Sequence, residues 1–249
     1  MPNTAKSRPG PIDITIPRWV LWGVPIALVF LIRLPYFGLT TLNSDEGLYA
    51  VTARIMQEGG LPYRDAWDHA APGIFYLYYF IFNIFGAWTM GAVRLAALVF
   101  HAAAGLIAGN ELRRRHGDLA GLVASTLTIV ATGGYLPADA VAGLTEVFML
   151  PFLLQAAVWV IRYAEGETVR PWQAAPMIAL AAWFKIHGLL IVLFFLAAAF
   201  VVRTRMHRNW AEPFVHSAAV LLISAATYFI LVLPLFISGG LNAYLDIYI

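Results

Sequence analysis

Two adjacent carboxylates, Asp45 and Glu46, stand in the stretch NSDEGLY, directly after an apolar run long enough to cross a membrane. Acids in that place have two uses. They can open a helix: Asn43 caps it, Glu46 at the third position completes a capping box, and both charges complement the helix dipole. They can also supply a general base, held rigidly where the chain leaves the bilayer. The roles are compatible, because a helix start fixes a carboxylate in space. As neighbours on a helix Asp45 and Glu46 point in different directions, which argues against a paired acid and base.

The cations need the same weighing. Arg33 lies near the end of the first apolar run, Arg94 near the start of a later one, and Lys185 between two apolar segments in AWFKIHG. Each alone reads as a side chain that snorkels to the interface. Together, on one face with the carboxylates, they suit a phosphate at the membrane surface, since Arg binds phosphate through two parallel hydrogen bonds and Lys as a point charge. His187 follows Lys185 closely and shares its surface. Asp68 and His69 read first as a local hydrogen-bonded pair. No HExxH or similar spacing is present, so no metal ligands are assigned and the cofactor, a divalent metal included, is left unassigned. His101 reads as a packed polar residue, and His116 and His207 as parts of solvated basic loops.

What positions these groups is an all-α framework. The chain is 61% hydrophobic and 12% charged with mean hydropathy +0.74, about half the charge of an ordinary soluble domain. Apolar runs separated by short Arg-rich loops recur throughout, which predicts a polytopic integral membrane protein with no soluble domain. Nucleic acid is excluded as a partner, and membrane lipids are implied. Cysteine is absent, which removes disulfides, thiolate nucleophiles and Cys-ligated metals. The basic, Pro-rich start before VLWGVPIALVFLI lacks a clean small-residue cleavage site, so it reads as a cytoplasmic tail, residues 1–18, and a retained first helix.

Seven crossings are expected, at 19–34, 92–112, 119–136, 144–161, 172–183, 189–202 and 214–236. The sides of the later loops depend on the stretch PGIFYLYYFIFNIF at 72–85. If it does not cross, eleven of the sixteen Lys and Arg residues fall on one side, which is then cytoplasmic. If it crosses, that rule fails. At fourteen residues, Pro-led and rich in Tyr and Phe, it is expected as an interfacial helix. Residues 38–91 then form one extracytoplasmic loop carrying Asp45, Glu46, Asp65, Asp68 and His69. Its first part places Leu48, Val51, Ile55 and Met56 on one apolar face and stops at Gly59 and Gly60, as an amphipathic surface helix does.

These residues resemble a family. The DE pair opening an amphipathic helix, then DAWDHAAPGIFYLYYFIFNIFG, AVRLAAL, a Thr-Glu opening a later span and AWFKIHG look like the amino-terminal half of GT-C glycosyltransferases. The protein O-mannosyltransferase and lipid A aminoarabinose transferase groups are the most similar. The resemblance runs from about residue 19 to the end. It implies a GT-C-like membrane module over residues 19–249, lacking the family's carboxyl-terminal half, in a bacterial inner membrane. It implies transfer of a sugar from a polyprenyl-phosphate carrier to a lipid, glycan or protein acceptor on the extracytoplasmic face. By that likeness Asp45 maps to the base and Glu46 to its supporting neighbour. Arg94 and Lys185 map to the lipid phosphate site, and Glu146 to an acidic residue at an outer helix end, with Asp139 close by. The family's HPP or KP element corresponds to HAAP here, with His69 and Pro72 separated by two alanines. Two rivals come from other classes: a transporter or flippase, which would concentrate ionisable residues in mid-bilayer on broken helices, and a non-catalytic or truncated relative.

Overall fold

The computed structural model describes residues 15–133, 142–207 and 209–248, and among them every regular element is helical. Helices α1 (Arg18–Arg33), α4 (Met90–His116), α6 (Thr145–Ala164), α8 (His187–His207) and α9 (Ala211–Ser238) correspond to the five segments long and apolar enough to cross a membrane. Two of the seven expected crossings correspond to shorter helices, α5 (Asp118–Gly133) and α7 (Ala174–Phe184). Their 16 and 11 residues rise only ~24 and ~16 Å at 1.5 Å per residue. Helices α2 (Ser44–Gln57), α3 (Pro72–Phe85) and α10 (Leu241–Tyr248) complete the set.

Local sequence explains the main boundaries. Asn43 caps α2, its side chain accepting from the Glu46 N–H at 2.9 Å. Pro72 takes the first position of α3, where its missing N–H costs nothing. Gly117, at φ +86°, turns α4 into α5. That hairpin is tight because Gly105 and Gly109 of α4 face α5: a Cβ on Gly109 would stand 2.8 Å from the Gly121 carbonyl oxygen. Small residues spaced four apart let the two backbones approach in this way.

The segment 72–85 is more than an interfacial helix. One face, with Ile74, Phe75, Tyr78 and Phe82, is buried in the main core against α2 and α7. Phe80, Ile84 and Phe85 remain exposed on the other. Helix α2 turns Tyr49, Ala50 and Ala53 inward and leaves Leu48 and Val51 exposed. So the apolar face read from the sequence is split, with Leu48 and Val51 exposed and Met56 packed against the core, and a second face of small residues and Tyr49 packs into the bundle.

The bundle has two unlike ends. At one, the Ile16 N–H donates to Asp118 at 3.0 Å, and Glu111 accepts from Arg114, Arg115 and Arg162. Arg115 also reaches Glu165 and Arg114 reaches Glu167, while the Arg203 guanidinium lies 4.8 Å over the Tyr163 ring and pairs with Glu212. The basic loops after α4, α6 and α8 therefore share one end with the start of α1. The opposite end carries Asp45, Glu46, Asp68, His69, Arg94, Glu146, Lys185 and His187.

Candidate functional site

At that second end the candidate residues divide into a sealed group and an open one. In the sealed group the Glu46 and Arg94 side chains are 0% and 1% exposed and form a two-point ion pair, with Arg94 Nη2 2.9 Å from Oε2 and Nε 3.3 Å from Oε1. Glu46 also accepts the Leu42 N–H at 2.8 Å and the Gly143 N–H at 3.1 Å. Arg94 donates onward to the backbone carbonyls of Tyr36, Leu39 and Thr40. The Tyr78 hydroxyl closes the group by donating to the Gly143 carbonyl at 2.8 Å. Burying a charge in this way requires every polar atom to be satisfied, and here all three guanidinium nitrogens and both carboxylate oxygens are.

This geometry bears on two expectations. Arg94 was expected at the lipid phosphate, but its nitrogens are committed and its side chain is sealed. Glu46 was expected beside Asp45 in the reaction, but its carboxylate faces the core and pins the chain after α1 to α4 and to Gly143. The capping box is also altered: Glu46 bonds the Leu42 N–H, one residue before the cap. Arg33 is buried too, donating to His101 Nδ1 at 3.3 Å, and His101 Nε2 meets Thr132 at 2.7 Å. His101 is thus the packed polar residue expected. Asp139 lies outside the described residues.

The open group lines one cavity of about 300 Å³. Asp45, Tyr49, His69, Ala70, Ala71, Thr145, Glu146, Lys185 and His187 all face it. Asp45 is exposed on the first turn of α2, one residue before Glu46 and about 100° around the helix from it. Lys185 ends α7 and donates to Glu146 Oε1, while Thr145 donates to Glu146 Oε2 at 2.9 Å. Glu146 and Lys185 are 54% and 34% exposed, so this pair is reachable from the cavity. Lys185 is the one Lys or Arg among the described residues that line it.

Four helices present their amino-terminal ends here. Asp45 belongs to the first turn of α2, Ala71 caps α3, Thr145 opens α6 and His187 opens α8. Each brings the partial positive charge of a helix start. With Lys185 they make an anion-favouring floor, balanced by the carboxylates Asp45 and Glu146.

The loop before α3 is held by local bonds. Tyr63, at φ 69°, is buried and donates its hydroxyl to the Ala70 carbonyl at 2.7 Å, and its ring meets Phe75 and Tyr244. Asp68 is buried, and its Oδ1 accepts the Ala70 N–H at 3.0 Å and lies 3.6 Å from His69 Nδ1. Burial raises the Asp68 carboxyl above its ordinary range, partly opposed by the backbone N–H bonds of Ala70 and His69. Asp68 therefore shapes the turn that carries His69 to the cavity and does not line it. Tyr49, whose hydroxyl meets Thr145, was not anticipated. It stands four residues after Asp45 on one helix face, which is the signal that would have found it. Burial, and then the negative charges of Asp45, Asp68 and Glu146, hold its hydroxyl well above the usual phenol range, so it remains a proton donor.

A larger cavity, about 540 Å³, opens at the arginine-rich end between Trp22, Leu106, Asn110, Gln155 and Arg162. Its charged lining, Glu111 and Arg162, is already paired, so volume does not make it the site. Among the described residues no three His, Asp or Glu side chains come together as a metal site. No family model, curated protein or solved structure matches the chain, so a functional reading rests on the cavity itself.

Proposed function

We propose that the cavity binds a polyprenyl-phosphate-linked sugar and transfers the sugar to a hydroxyl acceptor, in the manner of the GT-C glycosyltransferases that the sequence resembles. The observation that supports this reading most directly is the convergence of Asp45, Lys185 and four helix amino-termini on one cavity, at the end of the bundle opposite the arginine cluster. Arginine-rich ends mark the cytoplasmic side, so the cavity opens to the extracytoplasmic surface of an inner membrane, with the amino-terminus cytoplasmic. In this reading α5 and α7, with the five long helices, make the seven crossings.

The chemistry follows from the charges. Asp45 takes the proton of the acceptor hydroxyl as its oxygen forms a bond to the anomeric carbon. The bond from that carbon to the phosphate oxygen breaks, and the electron pair leaves with the phosphate. Lys185 and the helix amino-termini stabilise the negative charge that develops there. A single displacement inverts the anomeric centre. Tyr49 and Thr145 supply hydroxyl groups, and His69 and His187 ring nitrogens, for the sugar or acceptor. Glu46 and Arg94 hold α2 in place, so Asp45 is aimed by a rigid element.

The test is transfer of a radiolabelled sugar from a polyprenyl-phosphate carrier by membranes containing the full protein. Asp45→Asn keeps the size and the helix start but removes the basicity, and transfer should fall about 100-fold or more, with thermal stability in detergent little changed. Normal transfer by this variant would reduce Asp45 to a helix-start residue.

A further inference from the structure

The Lys185–Glu146 pair raises a question that the proposed reaction leaves open. If Lys185 receives a phosphate, a carboxylate already occupies it. The Glu46–Arg94 pair is sealed, but this one is half-exposed inside the cavity and joins the first turn of α6 to the end of α7. We propose that Glu146 is a resident counter-anion that exchanges with the lipid phosphate on Lys185, and that its return to Lys185 expels the prenyl-phosphate product. This rests on the proposed function, since it describes the regulation of the same site.

Charge bookkeeping sets the direction of the exchange. The sugar donor is a phosphodiester with one negative charge, whereas the released prenyl phosphate is a monoester that approaches two. A half-exposed pair is held weakly, so the growing charge on the leaving phosphate can displace the carboxylate during transfer. Glu146 needs no backbone movement to leave, because its hydrogen bond from Thr145 belongs to its own helix start. That start favours a carboxylate in either position. Without Glu146, Lys185 and the amino-termini of α6 and α8 would be a standing trap for phosphate, and the dianionic product would be slow to go. With it, the resting cavity holds two acids against one lysine, and simple anions meet a site already filled.

Undecaprenyl phosphate binding to the purified full protein in detergent tests the exchange, with a photoreactive analogue as readout. Undecaprenol controls for the tail and inorganic phosphate serves as competitor. Glu146→Gln should bind undecaprenyl phosphate about fivefold more tightly, the factor for losing a competing pair worth up to about 1 kcal/mol. Lys185→Gln should weaken binding, the double variant should bind as poorly as Lys185→Gln, and Glu146→Asp should return affinity towards the original. In turnover, Glu146→Gln should show stronger inhibition by added undecaprenyl phosphate. If Lys185→Gln weakens binding but Glu146→Gln leaves it unchanged or weaker, the exchange is overturned while the proposed function stands. If neither the original protein nor Glu146→Gln retains undecaprenyl phosphate over undecaprenol, both fall. Equal competition by inorganic phosphate would overturn the lipid assignment.

Discussion

Two acid–base pairs occupy neighbouring regions at the same end of the bundle, and they are built to opposite specifications. Glu46 and Arg94 meet across 48 residues of sequence, and Glu146 and Lys185 across 39. Around the first pair lie the carbonyls of Tyr36, Leu39 and Thr40 and the N–H groups of Leu42 and Gly143, with no solvent. Around the second lies a cavity. In a medium of low dielectric a charge survives only when its hydrogen-bonding capacity is filled, and a filled group has nothing left for a ligand. The comparison separates charges that hold the site together from charges that can act in it.

The largest effect should come from breaking the sealed region. Arg94→Gln leaves the Glu46 carboxylate buried with a lost counter-charge, and such a change costs about 3 to 5 kcal/mol. Unfolding in detergent should show it, and transfer should fall in step with the folded fraction. An unchanged unfolding midpoint would mean that the pair does not pin α2. A smaller loss should follow Gly143→Ala, because a Cβ there would stand 2.6 Å from both the Tyr78 hydroxyl and Val93 Cγ1. Crowding of that kind costs about 1 to 3 kcal/mol. Lys185→Gln, by contrast, should change stability by less than about 1 kcal/mol, as expected of a solvent-reaching pair. Equal losses for Arg94→Gln and Lys185→Gln would erase the distinction between the two regions.

The smallest effect is a slope. Asp68 is raised above its ordinary 3.8 by burial, so the folded chain binds that proton more tightly than the unfolded chain. Its contribution favours folding most below the ordinary value and is lost as pH rises through the raised one. Asp68→Asn should flatten the dependence of stability on pH in that interval, measured by unfolding midpoints at a series of pH values. A dependence as steep as that of the original protein would assign it to another group.

Much of this was legible in the sequence for a physical reason. Membrane-length apolar runs force helices, because backbone groups cannot go unpaired in lipid, and the runs at 19–34, 92–112, 144–161, 189–202 and 214–236 all lie on long helices. The Arg-rich loops stand out by charge alone, and the structure gathers them at one end. Local chemistry also marked the start of α2 at Asn43. Asp45, His69, Lys185 and His187 were singled out by type and position and Glu146 by the family resemblance, and all five line one cavity.

Tertiary structure decided which charge is available. Asp45 and Glu46 are adjacent and chemically alike, yet one helix residue is a rotation of about 100°, and that turns one carboxylate to the cavity and the other to Arg94. Arg94 and Lys185 are both cations near helix ends. Only the packing of the segment after α1 against α4 fills the hydrogen-bonding capacity of the first and leaves the second half-exposed. Sequence alone determines where charge is placed along the chain. Burial is a property of all the neighbours at once, and burial assigns Glu46 and Arg94 to the scaffold and Asp45 and Lys185 to the cavity.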